Sequence, residues 1–420
     1  MNKQISYKRD QLFVEEVAVN EITKSIRTPF YVYSRNIIKD NFNRFRKSLV
    51  GLDGIICYSV KANSNLSVLE TIANLGGGAD VVSLGEYQRA LRAGIDRNKI
   101  VFSGVGKQDF EIAEVLKSSL LQFNIESVSE LEMINKIAIG LNKPAPIAFR
   151  VNPDIDAGTH ENISTGKADN KFGIPIADAM DIYQYASKLD KIKIVGIDVH
   201  IGSQISNLNA FRQTFEHLAN LVHDLNKIKI KLENIDIGGG LGIKYSNEDI
   251  EPDLQEYGTL VKQILGNLNC RIIFEPGRYI VGNSGILVTK VVHKKRSQNK
   301  SFLITDAGMN DFSRTALYGA AHRLIPLSRE KSGETELYDV VGPVCETTDT
   351  FLKSYPIEKA EPGDFFAFLD VGAYGAVLSS EYNTRPLVPE IMVYNKRYEI
   401  VRSRPTYDEI FDKEVMPNWE

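Results

Sequence analysis

One lysine stands at the point where an apolar segment ends. Residues 54–60 are mainly apolar, Lys61 follows them, and the chain then becomes polar at residues 63–65. This pattern predicts a buried strand that delivers one amine to the mouth of a site. An amine that is shielded from water is a nucleophile that can form a Schiff base. The alternative is that Lys61 caps the strand as a solvated charge, and this segment alone leaves both open.

Three further features suggest what the amine would serve. The glycines at 238–240 would let peptide N–H groups surround a phosphate, although a bare turn is the alternative for any glycine run. His200 could lie flat against a cofactor ring, although a lone histidine is more often a core residue. Glu275 would be costly to bury unpaired, and a protonated pyridine nitrogen would be its partner. Together these groups suit pyridoxal 5'-phosphate, and the carboxylate favours decarboxylation over racemisation.

The elements that would position these groups alternate between short apolar runs and amphipathic helical segments. This alternation predicts an α/β fold with a (β/α)8 TIM-like barrel. The runs are continuous, as expected for parallel strands that are covered on both faces, and their number and length disfavour an open doubly wound sheet. The predicted strands are Ile55–Ser59, Ala79–Ser83, Ile100–Ser103, Leu120–Ile125, Ile147–Val151, Ile194–His200, Ile235–Ile237 and Arg271–Phe274.

Barrel enzymes carry their chemistry at the carboxyl ends of the strands, and polar residues recur there in this chain. The glycine run follows the seventh predicted strand, and Gly277 with Arg278 follows the eighth, which are the loops that barrels often use for phosphate. The polar residues at the predicted strand ends are Lys61, Asp80, Ser83, Arg150, Asn152, His200, Ser203, Glu275 and Arg278.

A second kind of pattern begins after about residue 285. Strand-like segments follow one another there with few long helices, which predicts a C-terminal, mostly antiparallel β domain. We therefore predict a barrel domain over residues 28–285 and a β domain over residues 286–420. An apolar piece at Leu12–Val19 has no partner that local pattern can assign.

Composition narrows the possible partners and locations. The formal net charge of −4 gives no electrostatic reason to expect nucleic acid or an anionic membrane as a partner. Three cysteines without a CxxC pair argue against a disulfide framework or a structural zinc. We see no secretory signal and no apolar run of about 18 residues. The expectation is a cytoplasmic protein without metal.

Six motifs in order resemble the fold-type III pyridoxal-phosphate-dependent decarboxylases, and within them the diaminopimelate decarboxylase family. The resemblance runs from Thr28 to the C-terminus. It implies decarboxylation of meso-2,6-diaminopimelate to L-lysine and CO2, the last step of lysine biosynthesis; a decarboxylase of a related diamino or polyamine-pathway acid is the alternative. The motifs are Tyr-Ser-Val-Lys-Ala-Asn (58–63), His-Ile-Gly-Ser-Gln (200–204), Gly-Gly-Gly-Leu-Gly-Ile (238–243), Glu-Pro-Gly-Arg (275–278), Cys-Glu (345–346) and Gly-Ala-Tyr-Gly (372–375).

The resemblance also implies a role for each matching residue. Lys61 would bind the cofactor covalently, His200 would stack on its ring, and Glu275 would hold the pyridine nitrogen. Cys345 would enter from the other subunit of a homodimer and protonate the product, although a buried small hydrophobe is its plainer interpretation. The family's β domain also takes in residues 1–27. The implied cofactor-binding residues are Lys61, Asp80, His200, Ser203, Gly240, Glu275, Gly277, Arg278 and Tyr374.

Recognition of a substrate with an amino acid group at each end needs a cation for the distal carboxylate and an acceptor for the distal ammonium. The residues that would supply these groups are Arg278, Arg314, Tyr318, Glu346 and Tyr374. Two positions depart from the family pattern, Thr315 and Ala321, and they put the rigidity of their loop in question. A polar segment at 160–173, which includes His160, Thr165 and Asp169, resembles a family loop near the site and is expected to have a lid-like or positioning role.

Overall fold

The computed structural model of the protein describes residues 3–156, 166, 170–246, 248–329 and 334–419. The chain divides into two compact units. A barrel unit comprises Lys39–Lys244 and Glu248–Ile280, and a β unit comprises Met1–Ile38, Tyr245–Asn247 and Val281–Glu420. This division differs from the predicted boundary at residue 28 because the strand Phe30–Ser34 pairs with two strands of the β unit.

The barrel unit contains eight parallel strands in one closed sheet, because the eighth strand pairs with the first and the fourth with the fifth. The predicted (β/α)8 barrel is therefore confirmed. A short strand, Ile174–Pro175, extends the fifth strand's edge. The barrel strands are Gly54–Ser59, Gly78–Val81, Ile100–Phe102, Gln122–Ile125, Ala145–Asn152, Ile192–Asp198, Asn234–Asp236 and Arg271–Phe274.

Helices follow the strands and begin at residues whose side chains accept backbone N–H bonds. Asn65, Ser83, Ser127 and Asp253 each cap a helix in this way, which satisfies a donor that the first turn leaves unpaired. Ser83 thus begins a helix and does not end a strand as predicted. The helices of this unit are Leu66–Asn74, Leu84–Arg92, Asp109–Ser118, Val128–Leu141, Ala179–Ala186, Leu208–Lys227 and Leu254–Leu265, with Arg35–Ser48 leading into it.

The β unit is built around a sheet in which most strand pairs are antiparallel, as predicted. Residues near the N-terminus form a separate three-stranded sheet, Ile5–Lys8, Gln11–Val14 and Val17–Ala18. The remaining strands are Phe30–Ser34, Gly285–Arg296, Ser301–Thr305, Leu324–Pro326, Thr335–Val341, Thr350–Glu358, Phe365–Phe368, Glu390–Tyr394 and Arg397–Arg402. Short helices of this unit are Val19–Ser25, Arg314–Tyr318 and Tyr407–Phe411, and the one-turn helix Arg278–Val281 begins in the barrel unit.

The N-terminal segment packs into the core of the β unit. The amide of Leu12 donates to the carbonyl of Leu327 at 2.8 Å, and both side chains are buried in one apolar cluster with Val288 and Ile391. Burial of apolar surface in this cluster is what ties the first residues to residues that come more than 270 positions later. Among the residues described, we find no helix both long and apolar enough to cross a membrane.

Candidate active site

Lys61 lies just past the first barrel strand, in a short 3-10 turn, Val60–Ala62. Its Nζ donates to Oδ2 of the fully buried Asp80 at 2.9 Å. Burial alone would raise the pKa of Asp80, yet the Lys61 ammonium, with hydrogen bonds from Lys61, Ser59 and Ser103, brings that pKa below its ordinary value. An ion pair therefore holds the amine at the carboxyl end of the barrel.

His200 follows the sixth strand and is held as a neutral ring. Burial, with the nearby Arg150 and Lys61 cations, lowers its pKa to about 3. The amide of Gly239 donates to its Nδ1 at 3.1 Å, so the ring proton resides on Nε2. A neutral imidazole in a fixed orientation offers a flat, uncharged face.

The glycine run after the seventh strand packs closely on the loop that follows the sixth. Gly240 has a φ of +105°, and a Cβ there would lie 2.7 Å from the carbonyl oxygen of Gly202, so a side chain is excluded on both counts. Gln204 holds the same two loops together: its Nε2 donates to Ile243 O at 2.6 Å, and its Oε1 accepts from Ile243 N at 3.2 Å. The two loops together therefore present a surface of backbone peptide groups.

A hydroxyl and a guanidinium belong to the same part of the site as these peptide groups. Nη2 of Arg278 donates to Oγ of Ser203 at 3.0 Å. Arg278 is buried and begins a one-turn helix directly after Gly277, which follows the eighth strand. Peptide N–H groups, a hydroxyl and a guanidinium are the usual donors for a phosphate, so the residues here fit one.

Glu275 ends the eighth strand within a cluster of buried acids. Carboxylate oxygens of Glu275, Asp236 and Asp198 lie within 4.8 Å of one another. Burial, with the charges of Asp236, Asp80 and Asp198, raises the pKa of Glu275 well above its ordinary value, and Lys61 offsets this in part. Burial likewise raises the pKa of Asp236 to about 7. This cluster has an excess of acids over cations and suits a ligand that brings a positive charge.

Arg150, from the fifth strand, supplies a positive charge that partly compensates the negative charge of the acid cluster. It donates to Glu126 at 3.2 Å, lies 3.9 Å from Asp198, and packs at 4.8 Å against the Phe172 ring. Gly173 N also donates to Glu126 at 2.7 Å, so this carboxylate binds both Arg150 and Gly173. Of the predicted positioning segment, His160, Thr165 and Asp169 lie outside the described residues.

The second group of predicted residues lies in the β unit. Cys345 and Glu346 are exposed on a loop that the buried Asp349 holds, because Oδ2 of Asp349 accepts from Val344 N and Oδ1 from Met309 N, each at 2.7 Å. The loop that carries Cys345 and Glu346 is therefore fixed by Asp349, three residues after Glu346.

Polar neighbours orient the carboxylate of Glu346. Tyr382 Oη donates to its Oε1 at 2.6 Å, and Thr348 Oγ1 donates to its Oε2 at 3.0 Å. These hydrogen bonds lower the pKa of Glu346, so the side chain is an anion at neutral pH. An oriented anion is what an ammonium ligand requires.

Arg314 is buried and tightly oriented. Its Nη1 lies 2.9 Å from Tyr245 Oη and 3.1 Å from His322 Nε2, and the guanidinium stacks 4.8 Å from the Tyr245 ring. Because Nε2 of His322 accepts from the arginine, Nδ1 carries the ring proton and donates to Leu369 O at 2.9 Å. The arginine fork is thereby held for a carboxylate.

The loop around Arg314 has internal support despite its departures from the family pattern. The Thr315 hydroxyl donates to Ala320 O at 3.2 Å, which closes the short helix that contains Tyr318. Tyr374 is half-buried and has a φ of +56°, a backbone conformation that non-glycine residues rarely adopt. Strain of this kind is often found at functional sites.

The structure thus brings the predicted residues together in two groups. The barrel unit holds Lys61, Asp80, His200, Ser203, Gly240, Glu275, Gly277 and Arg278, and the β unit holds Arg314, Tyr318, Cys345, Glu346 and Tyr374. Sequence reasoning gave no role to Ser103, Asn124, Gln204 or Asp236. The polar-apolar alternation at Gln122–Ile125 was a usable signal, since it places two polar side chains on one face of a buried strand.

The fold and site agree with what comparisons with known proteins show. Residues 35–282 match the family model described as pyridoxal-dependent decarboxylase, pyridoxal binding domain. The lysine, the phosphate-type cradle and the buried acid cluster fit that cofactor, so the class defined by fold and site is that of the pyridoxal-dependent decarboxylases.

Individual relatives narrow the family further. A diaminopimelate decarboxylase of Aquifex aeolicus is 44% identical over 98% of this chain and 97% of its own length. The crystal structure of the Helicobacter pylori diaminopimelate decarboxylase complexed with L-lysine superposes with a TM-score of 0.91 at 42% identity, covering 94% of this chain and 98% of that one. The corresponding M. jannaschii complex has a TM-score of 0.93 at 33% identity, covering 99% and 98%. The chain belongs to the diaminopimelate decarboxylase family.

Proposed function

We propose that this protein is a pyridoxal-phosphate-dependent carboxy-lyase that converts meso-2,6-diaminopimelate to L-lysine and CO2, the last step of lysine biosynthesis. The observation that carries the proposal is that a lysine, a bare-peptide cradle and a buried acid meet at one end of a barrel, in a chain 44% identical to a diaminopimelate decarboxylase. The proposed location is the cytoplasm, in keeping with three free cysteines.

The barrel residues have distinct proposed tasks. Lys61 holds the cofactor covalently, and Ser203, Gly240, Gly277 and Arg278 bind its phosphate. When bound, the cofactor supplies an electron sink for the electron pair that remains after CO2 leaves. In the same proposal, His200 would lie against the ring face, Asp80 would lie beside the lysine, and Glu275 would bind the ring nitrogen.

The reaction also needs a proton at the carbon that loses CO2. One C–C bond breaks, and one C–H bond forms in its place. We assign the proton donor to the thiol of Cys345, because a thiol can act as a general acid. We propose that this thiol comes from the second subunit of a homodimer, which accounts for its exposed position in a single chain.

Substrate choice is assigned to the oriented charges of the β unit. The Arg314 fork suits a carboxylate in bidentate fashion, and the Glu346 anion suits an ammonium. Tyr318 and Tyr374 supply hydroxyls, and Arg278 is a second candidate cation. A substrate that has both charges at its distal end satisfies this set, whereas ornithine and arginine lack the distal carboxylate.

The direct test is release of CO2 from purified protein with added pyridoxal phosphate. We expect release from meso-diaminopimelate, with L-lysine as the second product, and little or none from ornithine, arginine or lysine. Comparable kcat/KM values for ornithine and diaminopimelate would refute the substrate assignment. No release from any of them, with cofactor bound, would refute the activity.

A subunit complementation experiment tests the homodimer. Lys61→Ala and Cys345→Ala proteins, each inactive alone, are co-expressed with different tags, and mixed dimers are isolated. Random pairing makes half of the dimers mixed, each with one intact site of two, so we expect about a quarter of wild-type activity before purification. If the thiol acts on its own chain's lysine, no mixed dimer has an intact site and the activity stays absent.

A conservative change at Arg314 tests the distal recognition. We expect Arg314→Lys to raise KM for diaminopimelate by about ten- to a hundredfold, because the lysine keeps the charge and loses the planar fork. Steady-state kinetics measure this, and kcat should change less than KM. Arg323→Lys is the matched control, since Arg323 pairs with Asp370 at 2.9 Å and is not assigned to the substrate. Equal effects of both substitutions would contradict the assignment.

A further inference from the structure

Three amide side chains form a hydrogen-bonded row inside the barrel, beside the acid cluster. Asn234 Nδ2 donates to Gln122 Oε1 at 2.9 Å, and Gln122 Nε2 donates to Asn124 Oδ1 at 2.8 Å. Asn124 Nδ2 donates in turn to Asp236 Oδ2 at 3.1 Å and to Ser103 Oγ at 3.2 Å. All five side chains are buried. We name Asn234, Gln122 and Asn124 the amide row.

The amide row has one direction. Because Oδ1 of Asn124 accepts from Gln122, its amide nitrogen is the atom that faces Asp236 and Ser103. Ser103 accepts one of these N–H bonds, so its own proton is left for a carboxylate, and Oε1 of Glu275 lies 3.5 Å from Oγ. The row therefore presents donors, and not acceptors, to the acid cluster.

The amide row lies in the interior of the barrel, where side chains are normally apolar. Gln122 and Asn124 are two positions apart on the fourth strand, so both point to the same face. Gly196 of the sixth strand makes room, since a Cβ there would lie 3.1 Å from Gln122 Oε1. Barrel interiors are usually filled by branched apolar side chains, and polar groups there cost free energy unless they are paired. A paired polar row in this position points to a functional reason.

We propose that Asn124, held by Gln122 and Asn234, is a positioning residue that keeps Glu275 ionised for the ring nitrogen of the cofactor, and that it acts through Asp236 and Ser103. The inference rests on the proposed role of Glu275. It assigns a part in the cofactor's chemistry to the amide row on the fourth and seventh strands and to Ser103 after the third, through hydrogen bonds to the acid cluster.

The electrostatic setting explains why donors matter here. Hydrogen bonds to a carboxylate favour its charged form, and two close carboxyls titrate as a pair. Gly238 N, at 3.0 Å, and Asn124 both lower the pKa of Asp236, which burial raises to about 7. The charged and titratable groups that face this pair and its neighbours are Lys61, Asp80, Cys57, Glu126, Arg150, Asp198 and His200.

The sign of the expected effect follows from these contacts. Loss of a donor raises the pKa of the carboxyl pair, so Glu275 becomes protonated at a higher pH than in the wild type. The acid limb of kcat/KM and the midpoint of the bound cofactor's visible absorbance should both move to higher pH. We expect about half a unit to one unit for Ser103→Ala and for Asn124→Leu, and about three- to tenfold weaker binding of pyridoxal phosphate to the cofactor-free protein.

Two controls separate positioning from a structural effect. Ser48→Ala removes another buried hydroxyl of the barrel unit, one that donates to Phe45 O at 2.7 Å, and should leave the absorbance midpoint unchanged. In a Glu275→Gln background, neither Ser103→Ala nor Asn124→Leu should move the midpoint further. Ser103→Ala removes a single oxygen and decides the matter if Asn124→Leu does not fold.

The outcomes are distinct. An unshifted midpoint in folded Ser103→Ala protein, or an equal shift in the Glu275→Gln background, would overturn the proposal. The absorbance titration is made without substrate, so a protein that shows the shift but does not decarboxylate diaminopimelate would refute the proposed function and leave the role of the amide row standing.

Discussion

Purified Lys61→Ala protein is expected to lack both activity and a covalent bond to pyridoxal phosphate. The structure places this amine in an ion pair with Asp80 at the carboxyl end of the barrel, 2.9 Å apart, where the other candidate cofactor groups lie. Alanine leaves no nucleophile to bind the cofactor covalently, so we expect kcat to fall by about a thousandfold or more. Borohydride reduction followed by peptide mass spectrometry should label Lys61 in the wild type and no residue in the variant.

A matched lysine makes this result specific. Lys99 is also half-buried in the barrel unit, but it comes before the third strand, and its Nζ donates to Gly76 O at 3.1 Å. Lys99→Ala should keep the label on Lys61 and most of the activity. A Lys61→Ala protein that remains active, or a label on another lysine in the wild type, would show that the amine was assigned wrongly.

The second large effect is expected at Glu275. Replacement by glutamine removes the negative charge that would hold a proton on the ring nitrogen, which weakens the electron sink. We expect kcat to fall by about a hundredfold or more, with a changed visible spectrum of the bound cofactor. Glu275→Asp, which keeps the charge on a shorter side chain, should retain more activity than Glu275→Gln. Equal activity of the wild type and the glutamine variant would contradict the role.

The same substitution should make the cofactor-free protein more stable. Burial and three neighbouring acids raise the pKa of Glu275 in the folded state, so the folded protein binds more protons than the unfolded chain above the ordinary glutamate pKa. The contribution of Glu275 to the free energy of unfolding therefore falls as the pH rises above the ordinary glutamate pKa. We expect the melting temperature of Glu275→Gln to exceed that of the wild type at pH 8, by on the order of a few degrees, and the difference to shrink towards pH 4.

An opposite stability result would be equally informative. If Glu275→Gln melts lower than the wild type at pH 8, the carboxylate has enough compensation from Lys61 and from its hydrogen bonds, and the acid cluster does not depend on a ligand's positive charge. Asp224→Asn is a suitable control, since Asp224 pairs with Lys227 at 2.7 Å on the protein surface and such pairs contribute little.

The sequence by itself determined the order of the elements and the residues at the strand ends. The continuous apolar runs and the amphipathic segments between them predicted eight barrel strands whose positions agree with the structure to within a few residues. This succeeded because burial on both faces and helical amphipathicity are local patterns. Motif resemblance then named Lys61, His200 and Glu275, which the structure places at one end of the barrel unit.

What only the tertiary structure decided is which residues lie opposite one another inside the barrel. Periodicity shows that Gln122 and Asn124 share a face, but it does not show that Asn234 lies within hydrogen-bond distance of them, more than 100 residues along the chain. Periodicity likewise does not show that Asp236 lies beside Glu275. It also does not predict the left-handed backbone at Gln204 and Tyr374, because neither residue is a glycine. Contacts across a closed sheet depend on its closure and register, and these are properties of the whole fold.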